Sequence, residues 1–411
     1  MSAVANILSS ANASATDLVG EWMPKVLVKQ GRSANLGSVL YGFFAKLKAE
    51  QALNGTFNSF ERDPVRSNFF SNAAAIATAT TLTFDDGNAN PVVSLLATGS
   101  ILQNGRTLEI VRVAADPTTN LTTTQVTVTR NITGDGVNGQ AINQGDVWSR
   151  ITEGALEGAA PRRAAYEQPN VITNYIQTFK SSAYLSNYYC AGQVRSNLEG
   201  PKQDAINYAL EQIVNQIEKG LLVGPKVPGS ANQEQLTGGV TTNIDAAIAA
   251  NSNLAGIKLN GNATAGVTLD AFLLWLDSFM VNGSEAKLAL CGDQAYSALS
   301  RFANSNAGGF RIMNNSGEKF SVNLKEIETP SGTLTLARHP LLMKDLNYRG
   351  HMIVVDLGLV GLKVMEKLHY QEFEPSNGTD AYQGQFRAKQ GLQMSFAEAN
   401  GYAYNLQQIN G

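Results

Sequence analysis

The chain has 411 residues, 43% of them hydrophobic, which is long and apolar enough for two or three domains with a substantial core. Only 16% are charged, against about 25% in an average soluble domain. The 31 basic and 34 acidic residues leave a net charge of −3 with no Lys/Arg run, so tight electrostatic binding of nucleic acid is not indicated.

Asn, Thr, Ser and Gln fill polar positions that Lys and Glu usually take, and Gly is abundant at 38 residues. Two readings fit. One is a neutral β-rich protein; the other is a surface largely covered by further subunits, because interfaces shed charges that are costly to desolvate. Cys190 and Cys291 form neither a disulfide framework nor a metal spacing, and the N-terminus lacks a signal-peptide core. The longest apolar stretch, Met352 to Met365, is interrupted by Asp356, Gly358, Gly361 and Lys363. No membrane span is expected, and the chain reads as soluble and made in a reducing cytoplasm.

In chain order, residues 1 to about 32 read as an arm anchored by Leu18, Trp22, Val26 and Val28. From Ser33 to the stop at Asn54-Gly55, Leu36, Val39, Leu40, Phe43, Phe44 and Leu47 recur at helical spacing and predict a helix. Residues 78–152 switch to period-two alternation (Leu82, Phe84; Leu108, Ile110, Val111, Val113; Val126, Val128) with turns at Asp86-Gly87, Asn104-Gly105, Asp116-Pro117 and Gly134. This predicts a small β-barrel or sandwich. The aromatic segments Phe57 to Phe70 and Val171 to Tyr189 flank it like the legs of one long hairpin, so the β-module reads as an insertion.

Pro201 opens the strongest helix, about 33 Å long, with Ile206, Leu210, Ile213, Val214, Ile217 and Leu221 on one stripe. Asp204, Asn207, Glu211, Asn215 and Glu218 are expected to face away. After a loop-rich stretch from 225 to 266 comes an α/β region. It holds a helix capped by Thr268, a strand from Lys287 to Cys291, a helix capped by Asp293, and a hairpin about Pro330-Ser331-Gly332. Strands follow at Met352 to Val355 and Leu359 to Met365. A last pair, Gln385 to Phe396 and Tyr402 to Leu406, is expected to be joined through Asn400-Gly401.

Catalytic signals are sparse. Gly134-Asp135-Gly136-Val137-Asn138-Gly139 matches the dinucleotide glycine pattern, but the following residues read as loop and strand where the motif needs a helix, so a glycine turn is preferred. His339, His351 and His369 have no metal spacing, and each reads as structural. Neither cysteine has the basic context of a nucleophile, and Asp85-Asp86-Gly87-Asn88 lacks calcium-loop spacing. No enzyme activity, metal or cofactor is expected.

The stretches Phe57-Asn58-Ser59-Phe60-Glu61-Arg62-Asp63, Gly145-Asp146-Val147-Trp148, Asn174-Tyr175-Ile176-Gln177-Thr178-Phe179 and Cys190-Ala191-Gly192, in this order before a long helix, resemble tailed-phage major capsid proteins of the Hong Kong 97-type fold. The subgroup resembled has a β-rich insertion in its extended loop. The resemblance implies an α+β fold with an N-terminal arm and helix at 1–55 and an extended loop at 56–77 and 153–190. An inserted β domain at 78–152 follows from it, with a peripheral domain at 191–264 and 346–411 that includes a spine helix at 201–222, and an axial domain at 265–345. It implies self-assembly into hexamers and pentamers of an icosahedral virion shell around double-stranded DNA, touched weakly and non-specifically. Portal, scaffolding and decoration proteins are the other partners it implies. Phe57, Phe60, Phe69, Phe70, Tyr175 and Phe179 are expected to be covered by a neighbouring subunit, and Ile206, Leu210, Ile213 and Ile217 to form the spine-helix core. An encapsulin-like compartment subunit and a β-rich tail or adhesin protein are the alternatives.

Overall fold

The computed structural model describes residues 47–62, 68–85, 95–116, 125–132, 139–155, 157, 169–191, 200–230, 233–261, 266–304, 326–373, 380–407 and 409–410. The N-terminal arm, most of the helix expected before Gly55 and most of the 134–139 glycine motif lie outside them. Strands β1 (Lys48–Gln51), β2 (Thr56–Glu61), β3 (Asn68–Ser71), β4 (Thr81–Asp85), β5 (Ser100–Asn104), β6 (Ile110–Val113), β7 (Gln125–Thr129) and β8 (Val147–Glu153) come first. Next are β9 (Asn170–Tyr175), β10 (Gln177–Ser186) and helices α1 (Asn187–Ala191), α2 (Pro201–Val223) and α3 (Val240–Ala250). Then follow β11 (Lys258–Asn260), β12 (Val267–Thr268), α4 (Leu269–Met280), β13 (Ala286–Cys291), α5 (Asp293–Asn304), β14 (Glu326–Thr329), β15 (Gly332–Arg338) and α6 (Pro340–Lys344). The last strands are β16 (Met352–Val355), β17 (Val360–Phe373), β18 (Ala381–Met394), β19 (Gly401–Tyr404) and β20 (Ile409–Asn410). The chain divides into two compact units: Phe60–Ile172 with Ile248–Asn253, and the remainder.

In the first unit β3-β4-β7-β6-β5-β8 close into a barrel. Alternation puts Phe69, Leu82, Phe84, Leu102, Val111, Val113, Val126, Val128 and Trp148 inside, with Leu95, Leu96 and Ile142 from the loops. Phe84 meets Trp148 edge to face at 6.1 Å, and the Trp148 indole donates to Ser71 Oγ at 2.8 Å. The barrel begins at Asn68, earlier than the expected 78, because Phe69 and Phe70 belong to a strand. Leu108, expected on a strand, sits in a turn at φ 58 and is 67% exposed. Two ion pairs fasten the loops. Arg130 forks onto Glu109, its Nε donating at 2.8 Å, and its Nη1 reaches the carbonyl of Ile76. Asp146 accepts from Arg106 Nε and Nη2 at 2.8 and 2.7 Å and from the Asn143 amide at 3.0 Å. These bonds, Arg106 foremost, hold its carboxyl down at about 2.

Among the described residues the second unit holds two large sheets and the short β12–β20 pair. The spine sheet has the order β1-β17-β18-β10. β10 pairs antiparallel with β18 from Gln177 opposite Gln390 to Ser186 opposite Ala381, and β1 runs parallel to β17. This corrects two expectations. Residues 48–51 are strand where the end of a helix was expected, and 177–186, expected as a leg of the loop, are a sheet strand. Helix α2 lies on this sheet. Gly200 at φ 90 and Pro201 start it, and the Gly224 amide closes it on the Gly220 carbonyl at 2.9 Å. Phe179 packs beneath Gly220, where an added Cβ would lie 3.1 Å from its ring. Ile213 and Ile217 are buried as expected, but Ile206 and Leu210 are only half-buried. Glu218, expected to face solvent, is buried.

The other sheet has the order β11-β19-β16-β13-β15-β14. β13 and β15 are parallel, and β16 runs antiparallel to both β13 and β19. The expected pairing of the last two strands is therefore wrong. β18 belongs to the spine sheet and β19 to this one, so Asn400-Gly401 joins two sheets rather than one hairpin. The Thr268 cap is present, its hydroxyl accepting from the Ala271 amide at 3.3 Å. Phe272, Trp275, Leu276, Phe279 and Met280 form the buried face of α4. Lys287 is buried with Nζ donating to the carbonyls of Phe279, Asn282 and Ala399 at 2.7, 2.5 and 2.6 Å; desolvation pushes its pKa down to about 8.

Candidate assembly surface

The six aromatic residues expected to meet a neighbour have different surroundings. Phe69 is fully buried in the barrel core and Phe179 is buried beneath α2, so both are covered by their own chain. That expectation is corrected for the two: each lies on the inward face of a strand that pairs within the subunit. Phe57 is half-buried, its ring against Gly391, where an added Cβ would lie 2.9 Å away. Phe70 and Tyr175 are half-buried. Phe60 alone of the six is open, at 71% exposure. Alternation explains the split within β2, since Phe57, Ser59 and Glu61 point to one side and Asn58 and Phe60 to the other.

β2 pairs with β9 in a two-stranded ribbon. Such a ribbon buries little apolar area by itself. β9 adds Val171, 54% exposed, which the sequence reading did not single out. Asn174, also missed, anchors the base of β9: its Nδ2 donates to the carbonyls of Leu392 at 2.7 Å and Gly238 at 3.0 Å, and its Oδ1 accepts from the Gly238 amide at 2.9 Å. A buried Asn inside an aromatic strand was the available signal, since a buried amide must be hydrogen-bonded. Leu274 on α4 and Leu346 after α6 are further exposed apolar side chains.

The titratable side chains are set for structure. His351 packs against Tyr348 and Tyr402, with ring centroids 5.0 and 5.5 Å apart, and burial pushes its pKa down to about 4. His369 lies 3.4 Å from Glu366, and His339 meets Glu218 at 2.7 Å. Burial raises the Cys291 thiol to about 12 and also raises Cys190, the opposite of what a nucleophile needs. Among the described residues no group of three His, Cys, Asp or Glu side chains can hold a metal, and no helix is long and apolar enough to cross a membrane.

A model of the SU10 major capsid protein family matches residues 29–407. The chain belongs to the SU10 major capsid protein family. It is thus a structural subunit of a phage capsid shell, with its place in the virion. Solved structures with similar folds include one from Microbacterium phage Oxtober96, 12% identical over 96% of each chain with a TM-score of 0.41. Another, from Mycobacterium phage Bobi, is 13% identical over 64% of this chain and 81% of that one, TM-score 0.40. The holo-SrpI encapsulin complex of Synechococcus elongatus PCC 7942 is 10% identical over 60% and 79%, TM-score 0.39. No match was found among curated proteins.

Proposed function

We propose that this SU10-family subunit assembles into hexamers and pentamers of an icosahedral head of the Hong Kong 97-type, enclosing double-stranded DNA. The single observation carrying the contact is the β2–β9 ribbon, which holds Phe60 and Val171 open to solvent on a structure too thin to bury them itself. Covering one such Phe contributes about 2 kcal/mol, and a closed shell repeats the gain at every subunit. In this reading the six-stranded sheet is the axial domain and takes β11, β16 and β19 from the segments 191–264 and 346–411 expected to be peripheral. The spine sheet with α2 is the peripheral domain and takes β10 from the expected loop, and the ribbon with the barrel is the extended loop. The subunit acts as scaffold rather than catalyst and is made in the host cytoplasm. It also meets portal, scaffolding and decoration proteins. A net charge of −3 limits its contact with packaged DNA to weak, non-specific touch.

The test is electron microscopy of particles formed by the full chain, with their contents assayed for nuclease-protected DNA. Hexameric and pentameric capsomers around DNA are expected. A protein cargo in place of DNA would turn the reading to an encapsulin-like compartment, and a persistent compact monomer would overturn it.

A further inference from the structure

Most ionic groups of the second unit sit at its surface, but one pair does not. Glu218 on α2 and His339, between β15 and α6, meet with Nε2 2.7 Å from Oε1, their side chains 0% and 5% exposed. Their second polar atoms, Glu218 Oε2 and His339 Nδ1, are buried without a hydrogen-bond partner among the described residues. The backbone holds the imidazole in place: the His339 amide donates to the Cys291 carbonyl on β13, and the His339 carbonyl accepts from Met343 in α6, both at 3.0 Å. The contact therefore joins the helix of one sheet to the end of a strand in the other.

We propose that Glu218 and His339 form a proton-gated latch that clamps the C-terminal half of α2 against the six-stranded sheet. With one proton shared between them the pair is neutral as a whole. Losing it leaves a carboxylate in a dry site with a single bond, a state that burial penalises heavily. Desolvation is the main influence on Glu218 and raises its pKa, while His339 opposes it. Its other charged neighbours are engaged elsewhere. Lys219, next on α2, bonds Asp345 at 2.7 Å; Arg338 on β15 lies over the Tyr296 ring at 3.9 Å; Cys291 on β13 is held protonated. His351 faces Asp345, and among the described residues His339 is the side chain that acts on Glu218.

The sign follows from linkage. A carboxyl raised on folding stabilises the docked helix below its ordinary value of 4.5, and this contribution is lost as pH rises through the raised value. Acidification tightens the latch and alkalinity loosens it, so the joint between the two sheets senses protons from within the subunit.

Hydrogen exchange on the full chain, corrected for intrinsic rates, provides the test across about pH 4.5 to 8. Protection of α2 amides from Ile213 to Leu222, relative to the barrel amides, should fall about tenfold for each unit by which the carboxyl is raised. Glu218→Gln, which keeps the shape and a hydrogen bond, should flatten this dependence, and Glu211→Gln on the exposed face should leave it as in the parent. His339→Gln removes the partner that opposes the rise and should deepen the loss at high pH, which decides the matter if Glu218→Gln fails to fold. Parallel pH profiles for the parent and both latch variants would overturn the proposal.

Discussion

The barrel and the two open sheets deal with strand edges in different ways. The barrel takes all six strands from one stretch between Asn68 and Glu153 and closes on itself, leaving no edge. The spine sheet gathers β1, β10 and the consecutive pair β17 and β18 from three distant parts of the sequence and leaves β1 and β10 as borders. The six-stranded sheet ends in β11, with Lys258, and β14, with Glu326 and Glu328; both are short and charged, which discourages stray pairing. The barrel is therefore a local structure that can form by itself, while the spine and α/β sheets form only when remote segments meet.

The largest blow to one side alone is Ile213→Asp, which puts a charge at a fully buried position on α2. A cost of about 4 kcal/mol or more is expected. Circular dichroism should report loss of the spine-unit transition while exchange-protected barrel amides survive, and simultaneous loss of both would refute the independence of the barrel. Trp148→Ala is the mirror experiment. It empties the barrel core and removes the bond to Ser71, costing about 3–5 kcal/mol within the barrel, readable as an early urea transition that leaves α2 intact.

A smaller, pH-dependent effect sharpens the contrast. Asp146 is depressed from 3.8 to about 2, so its contribution is present above the ordinary carboxyl value and lost as pH falls through about 2. Acid titration should loosen the barrel loops in that window, and Arg106→Gln should shift the loss to higher pH; an unshifted titration would show that Arg106 is not the cause. Smallest for the isolated subunit is Phe60→Ala, within about 0.5 kcal/mol by thermal melt, with capsomer yield in electron micrographs sharply reduced. Normal assembly would remove the ribbon from the contact.

These contrasts also explain what could be read from sequence. Elements carried by local pattern were legible: the Ile213 and Ile217 stripe, the Thr268 cap, and the barrel alternation through Leu82, Phe84, Val126 and Val128. What failed depends on partners far along the chain. Residues 177–186 look like a loop leg because their partner β18 lies two hundred residues on, and Phe179 looks exposed until Gly220 is known to sit above it. Glu218 falls on the polar side of a helical wheel drawn for α2 alone, and only His339 gives it a reason to turn inward. At the candidate contact surface Phe60 was named only as one of six aromatics with no local pattern to set it apart, and Val171 and Asn174 needed the ribbon itself.

The position of β19 has a consequence for synthesis. It stands between β11 and β16, in the interior of the six-stranded sheet, yet consists of residues 401–404. Until the ribosome has passed Tyr404, β11 has no partner strand and one side of β16 is bare, so this layer cannot close during translation of the preceding four hundred residues. A chain interrupted before that point lacks β19, so β11 is detached from the layer and β16 becomes a bare border.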